Sequence, residues 1–196
     1  MIKQNNNKSA GSLRIIAGRW RGRKLAVMDL KGLRPTSDRI RETVFNWLQP
    51  HLESAICLDL FAGTGALGLE AASRGAKKVT LVELNSKAAA QLVLYCQRLA
   101  AQQCQVYNQA ASDFLTQNKQ RYDIIFIDPP YQGSSWSAIT QQLMASNSVA
   151  DNALIYLEYP KQIEMPALPL QWQLIKEKRA GAVNYCLFKN TVEHIT

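Results

Sequence analysis

The sequence predicts an α/β fold, a parallel sheet covered by helices on both faces and finished by an antiparallel hairpin. Three observations predict it. From Ala55 onward, short and nearly continuous apolar runs alternate with amphipathic stretches. A glycine-rich segment follows the first of those runs, at the strand end where open α/β sheets bind their ligands. The last two apolar runs meet around Arg179-Ala180-Gly181 with no helix between them, the pattern of a hairpin.

Residues 1–12, MIKQNNNKSAGS, are polar, lack the apolar stretch of a secretory signal and read as a disordered lead-in. Leu13–Ile16 and Arg23–Val27 read as short strands around Gly18-Arg19-Trp20-Arg21-Gly22, making a basic hairpin. Trp20 could stack on a base or cover the sheet, and a lone tryptophan in a hairpin usually finds a core. Pro35 precedes a helix that begins at Thr36 or Ser37, either able to accept from a first-turn N–H. Ile40, Val44, Phe45 and Leu48 form its apolar stripe, and Pro50 is expected to end it. The alternating part then reads as strand Ile56–Phe61, helix Ala66–Arg74, strand Lys78–Leu84 and helix Ser86–Ala101. Strand Cys104–Asn108, helix Ser112–Asn118, strand Tyr122–Ile127 and a helix near Ser135–Ala145 follow. Strand Ala153–Tyr159 and the pair Trp172–Lys178 and Ala182–Asn190 complete the chain. This gives a basic hairpin-plus-helix extension over residues 13–50 and one larger domain over residues 51–196.

The 196 residues suffice for one well-buried core. No segment approaches the ~18 uninterrupted apolar residues of a membrane span, so a cytoplasmic protein without membrane contact is expected. Cys57, Cys96, Cys104 and Cys186 are scattered without metal-ligand spacing, so they read as structural thiols of a reducing compartment and no metal is expected. Charge is distributed unevenly. Residues 1–50 hold eleven Lys and Arg against three acids (Asp29, Asp38 and Glu42), which accounts for the whole net charge of +8. Such asymmetry points to a face that binds a polyanion, with Arg19, Arg21, Arg23 and Lys24 as phosphate contacts and Arg34 and Arg39 nearer the cleft.

The first strand runs into Asp59-Leu60-Phe61-Ala62-Gly63-Thr64-Gly65-Ala66-Leu67-Gly68. Gly63-x-Gly65-x-x-Gly68 alone would also suit a dinucleotide. Asp59 beside the turn argues otherwise, because a carboxylate repels a pyrophosphate and welcomes a cation. S-adenosylmethionine carries an ammonium and a sulfonium and no phosphate. Glu83 closes the second strand, where a carboxylate accepts ribose hydroxyls; it indicates a ribose without saying which one. The candidate cofactor residues are therefore Asp59, Phe61, Ala62, Gly63, Thr64 and Gly65, then Glu83 and Leu84, then Ala110 and Ala111 past the third strand. Asp113 either contacts the adenine amino group or is an early helical acid facing the helix dipole.

The fourth strand ends in Asp128-Pro129-Pro130-Tyr131, the most specific motif in the chain. Two consecutive prolines stop the strand and fix an extended loop. A rigid carbonyl at Pro129, the Asp128 carboxylate and the Tyr131 ring together suit an aryl amine. The lone pair of such an amine is delocalised into its ring, and two acceptors on its N–H groups favour rehybridisation towards a nucleophile. These residues are the candidate catalytic group.

With those residues stated, the chain from about Leu13 to Asn190 resembles the bacterial 16S ribosomal RNA guanine-N2 methyltransferase family known as RsmD. The lead-in carries the most distinctive part of the resemblance: Leu13-Arg14-Ile15-Ile16-Ala17-Gly18-Arg19-Trp20-Arg21-Gly22-Arg23-Lys24-Leu25, and then Leu33-Arg34-Pro35-Thr36-Ser37-Asp38-Arg39. The resemblance implies a Rossmann-like S-adenosylmethionine-dependent methyltransferase sheet of seven strands, the last antiparallel. It implies methyl transfer to N2 of one guanine in 16S rRNA, on the small ribosomal subunit or its assembly intermediate. It also implies that Asp59, Gly63, Gly65 and Glu83 hold the cofactor while Asp128 to Tyr131 hold the base. The sequence departs from the family twice: Tyr131 stands where phenylalanine is common, and the acidic residue expected after the third strand falls on Ala110. An adenine-N6 or DNA amino-methyltransferase, a non-catalytic RNA-binding assembly factor and a nucleotide-dependent oxidoreductase are the other readings. A monomer is expected.

Overall fold

The structure, a computed structural model, describes residues 11–27, 37–130 and 136–191. Arg34, Pro35, Thr36 and Tyr131 lie outside them, as do residues 1–10 of the expected lead-in. Strands β1 (Ser12–Arg14) and β2 (Lys24–Ala26) pair antiparallel, with Leu13 opposite Leu25. Ser12 therefore belongs to the hairpin and not to the lead-in. Helix α1 (Asp38–Leu52) follows, capped by the Ser37 side chain, which accepts from the Ile40 N–H. The rest of the chain alternates: β3 (Ile56–Asp59), α2 (Gly68–Ser73), β4 (Lys78–Val82), α3 (Ser86–Leu99), β5 (Cys104–Tyr107), α4 (Ala111–Gln117), β6 (Tyr122–Ile127), α5 (Trp136–Ala145), β7 (Val149–Pro160), β8 (Trp172–Ala180) and β9 (Val183–Asn190).

The seven strands from β3 onward form one sheet in the order β5-β4-β3-β6-β7-β9-β8. Neighbours from β5 to β7 run parallel, and β9 runs antiparallel to both β7 and β8. The expected seven strands, with the last antiparallel, are thus present. The chain winds outward from β3 to β5 and then restarts with β6 on the other side of β3. This places the topological switch point, where open α/β sheets bind ligands, between the ends of β3 and β6.

Side-chain alternation along the strands builds two cores. Ile124, Phe126 and Tyr156 face α1, α2 and α3, while Ile125, Ile127 and Leu157 face α4 and α5. Of the boundaries that differ from expectation, three have a physical reason in the packing. Helix α1 continues through Pro50, because Leu48 and Leu52 occupy the same buried face and the proline sits on the exposed one, where the unmatched Asn46 carbonyl meets water. Helix α2 begins only at Gly68, since residues 61–67 are consumed by the glycine turn. Strand β7 starts four residues early at Val149, with a register shift that the polar Asp151 and Asn152 conceal from hydrophobic periodicity.

The basic hairpin is bound tightly to the larger domain. Glu70 of α2, fully buried, accepts from the Ile16 N–H (2.8 Å), the Ala17 N–H (2.9 Å) and Arg74 Nε (2.7 Å). Arg41 of α1, equally buried, lies 3.6 Å from the same carboxylate and donates to the Arg14 carbonyl and to Asp38. Further along, Ser73 Oγ accepts from the Trp20 N–H and donates to the Ala17 carbonyl. Gly18 has φ +79°, and a Cβ there would stand 1.9 Å from the Ser73 carbonyl oxygen, so only glycine fits. Trp20 is buried, as its packing reading expected.

Candidate active site

Two loops meet at the switch point. The first leaves β3 at Asp59, whose side chain is almost fully buried and whose Oδ2 accepts from the Gly68 N–H at 2.9 Å. Asp59 therefore ties the start of the turn to its end. Gly63 and Gly65 adopt positive φ of +51° and +80°. A Cβ at Gly65 would approach Leu92 Cδ2 to 2.6 Å, and one at Gly68 would approach Leu81 Cδ2 to 2.2 Å, so helix-to-sheet packing also demands these glycines. Ala62 donates to the Val82 carbonyl at 2.8 Å, which fastens the turn to the neighbouring strand, and Thr64 is buried beneath it.

Glu83, just past β4, spans the turn and the next helix. Its Oε2 accepts from the Gly63 N–H (2.8 Å) and its Oε1 from the Asn85 N–H (2.7 Å). Each carboxylate oxygen keeps a further lone pair for a ligand hydroxyl. Asn85 caps α3 through its side chain. Leu84 is 70 % exposed at this edge, an apolar platform beside the turn. Sequence reasoning did not single out Asn108, which donates to the carbonyls of both Glu83 and Leu84 at 2.9 Å and so fixes that platform. Its signal, a lone amide at a strand end, is common to many turns. Ala110 takes the N-cap position of α4 without a side-chain bond, and Ala111 is the first helical residue. Asp113 is exposed in the first turn of α4, the location of an acid that complements the helix dipole.

The second loop leaves β6 at Asp128, with Pro129 buried and Pro130 exposed. Pairing of Ile127 with Leu157 sets Asp128 beside Glu158 at the end of β7. Glu158 is buried, accepts a 2.5 Å hydrogen bond from the Tyr156 hydroxyl and offers its carbonyl to Trp136 Nε1 at 2.8 Å, which anchors the start of α5. Sequence reasoning missed it too, because one acid in an apolar strand carries no spacing signal. Alternation places Asp59, Asp128 and Glu158 on the same face of three adjacent strands. Burial, reinforced by the charges of Asp128 and Glu83, pushes Asp59 up to about 7, against the bonds from Gly68 and Phe61 that lower it. Burial and the Glu158 and Asp128 carboxylates likewise hold the Tyr156 hydroxyl protonated. The crevice is electronegative, which suits a cation and disfavours a pyrophosphate.

The hairpin distributes its arginines over two places. The turn end of its ladder, where Arg14 pairs with Lys24 and reaches Asp38, lies by the start of α1, where Arg39 is exposed. Its tip lies against Ser73 at the end of α2, and Arg23 Nη1 reaches the Arg98 carbonyl at the end of α3. Arg19, Arg21 and Arg23 are exposed on this turn, and Lys24 is exposed opposite Arg14.

Comparison with known proteins matches residues 13–189 to the family model described as conserved hypothetical protein 95. The ribosomal RNA small subunit methyltransferase D of Haemophilus influenzae is 46% identical over 195 residues, covering 97% of this chain and 100% of that protein. The chain belongs to this methyltransferase D family. The Escherichia coli K12 member is 44% identical and covers 98% of this chain and 97% of its own length. Within the solved structures, the Escherichia coli protein yhhF superposes with a TM-score of 0.87 at 43% identity, covering 92% of this chain and 99% of that one. The match over residues 13–189 spans the hairpin as well as the sheet.

Proposed function

We propose that the chain transfers the methyl group of S-adenosylmethionine to the exocyclic N2 of a guanine in the 16S rRNA of the small ribosomal subunit. The observation that carries this reading is the meeting, at one switch point, of the Asp59–Glu83 glycine turn with the Asp128-Pro129-Pro130 loop. Family membership supplies ribosomal RNA as the substrate class.

When bound, S-adenosylmethionine supplies an electrophilic methyl group on a cationic sulfur. The protein's own groups do the rest. Gly63 and Gly65 would admit the ligand close to the backbone, Glu83 would accept from the ribose, and Leu84, Ala110 and Ala111 would line the adenine. Asp128 and the Pro129 carbonyl each accept one N–H of the target amine, which turns its lone pair towards the methyl group. Tyr131 stacks on the base, an interaction worth ~1–3 kcal/mol. Positioning of this kind removes roughly 7–11 kcal/mol from a bimolecular barrier. The proton leaves the methylated amine towards Asp128 or water, so no strong base is required.

The raised value at Asp59 gives a pH test. A cationic ligand binds the ionised carboxylate, so affinity for S-adenosylmethionine rises up to about tenfold per pH unit below 7 and levels off above it. For the unliganded fold the sign is opposite. Between about pH 4 and 7 the native state holds a proton at Asp59 that the unfolded chain has released, so stability falls as pH rises through that window. Titration calorimetry of wild type and Asp59→Asn should show a pH-dependent affinity only in the former; a flat wild-type profile would contradict the assignment.

The substrate class is tested by presenting labelled donor with purified small subunits, naked 16S rRNA and duplex DNA. Label in RNA alone is the expected result. Label in DNA alone favours the amino-methyltransferase reading on DNA, and tight cofactor binding without transfer favours a non-catalytic assembly factor. The reading places the enzyme in the cytoplasm, acting as a monomer on the subunit or its assembly intermediate.

A further inference from the structure

The tip of the basic hairpin is exposed and fastened to the end of α2, not to the loops of the crevice. The Arg19 N–H donates to the Ser73 carbonyl at 2.7 Å, the Trp20 N–H to Ser73 Oγ at 3.0 Å, and the buried Trp20 ring anchors the turn between them. Gly18 and Gly22 hold it with φ near +80°. On this fixed turn Arg19, Arg21 and Arg23 face solvent, Lys24 follows at the start of β2 opposite Arg14, Arg98 adjoins Arg23, and residues 11–27 contain no acid. Helix α3 measures the separation. Its first residue, Ser86, lies beside the cofactor turn and Arg98 lies twelve positions later, about 18 Å along the axis.

We propose that this tip is a second RNA-docking surface, which grips the phosphate backbone of a stretch of the substrate different from the one that carries the target base. The inference rests on the reading of the substrate as ribosomal RNA. Guanidinium groups on a rigid turn contact phosphates without reading sequence, and such contacts set register and orientation. A span of about 18 Å corresponds to roughly five base steps at ~3.4 Å each. One short single strand entering the crevice does not place phosphates at both points in a defined way. A folded RNA does, so the surface selects structured RNA over oligonucleotides. Arg39, exposed in the first turn of α1, is a reference position outside the tip.

The test is site-specific crosslinking on small subunits and on 16S rRNA, with benzoylphenylalanine in place of Arg21 in one variant and of Arg39 in another. The expected result is two separate sets of RNA nucleotides. Crosslinks from both positions to the same nucleotides, or from position 21 to a ribosomal protein or to nothing, overturn the proposal. Crosslinking needs no methyl transfer, so an unexpected modified base would leave this result to stand by itself; absence of RNA crosslinks from both positions would sink the RNA reading as well. In parallel, the combined variant R19Q/R21Q/R23Q/K24Q should lower the slope of log affinity against log salt by up to about 3–4, at ~0.9 per lost phosphate contact. Its affinity for S-adenosylmethionine should be unchanged, which confirms folding. An unchanged salt slope overturns the proposal.

Discussion

Asp128→Ala lowers the single-turnover rate of methyl transfer by about a thousandfold and leaves S-adenosylmethionine affinity at neutral pH within a fewfold of wild type. Loss of one preorganised polar partner of a reacting group costs on the order of 10²–10³ in rate elsewhere, and here the acceptor acts on the nucleophile itself. Asp128→Asn keeps a carbonyl that can accept one N–H and should fall between the two. A second readout separates this role from mere structural support. Asp128 contributes to the upward push on Asp59, so its removal shifts the pH dependence of cofactor affinity towards lower pH. Activity within tenfold of wild type, or a collapse of cofactor binding equal to the loss of rate, would refute the catalytic assignment.

Glu70→Ala is expected to be the most destabilising single change in the protein. Glu70 holds the Ile16 and Ala17 N–H groups and Arg74, and it neutralises the buried Arg41. Removing it leaves buried guanidinium charge and two backbone donors without their acceptor. Breaking a buried ion pair from one side costs about 3–5 kcal/mol, which for a chain of this length lowers Tm by roughly 10 °C. The hairpin should loosen first, so limited trypsin digestion should cut at Arg19, Arg21 or Arg23 under conditions where wild type is intact. The exposed Arg14–Asp38 pair provides the contrast: Arg14→Ala should cost no more than about 1 kcal/mol. A melting temperature for Glu70→Ala within 2 °C of wild type, with unchanged digestion (~1 kcal/mol or less by the same conversion), would contradict this account.

Much of the architecture was legible because local chemistry and global fold agree. Tyr122–Ile127 has the boundaries expected of it, since Pro129-Pro130 ends the strand from one side and the polar Asn118-Lys119-Gln120-Arg121 bounds it from the other. The glycine turn, Glu83 and Asp128 were legible because a topology of parallel strands sends every strand's end to one edge. What remained hidden depends on partners distant in sequence. Glu70 looks like an ordinary helical acid, and its role appears only when residues more than fifty positions earlier fold back onto it. Asn108 and Glu158 are single polar residues whose meaning lies in the neighbouring strand. The hairpin itself was readable from its turn residues. The direction in which its tip points was not, because docking against Ser73, and not strand pairing, decides it. Tyr131 and Arg34 fall outside the described residues, so their roles stand on the motif alone.

The most direct measurement of the central claim is nucleoside analysis of small-subunit RNA that lacks this modification, after incubation with the protein and labelled S-adenosylmethionine. The account predicts label in N2-methylguanosine and its absence with Asp128→Ala. Label in N6-methyladenosine, or transfer that persists without Asp128, would contradict it.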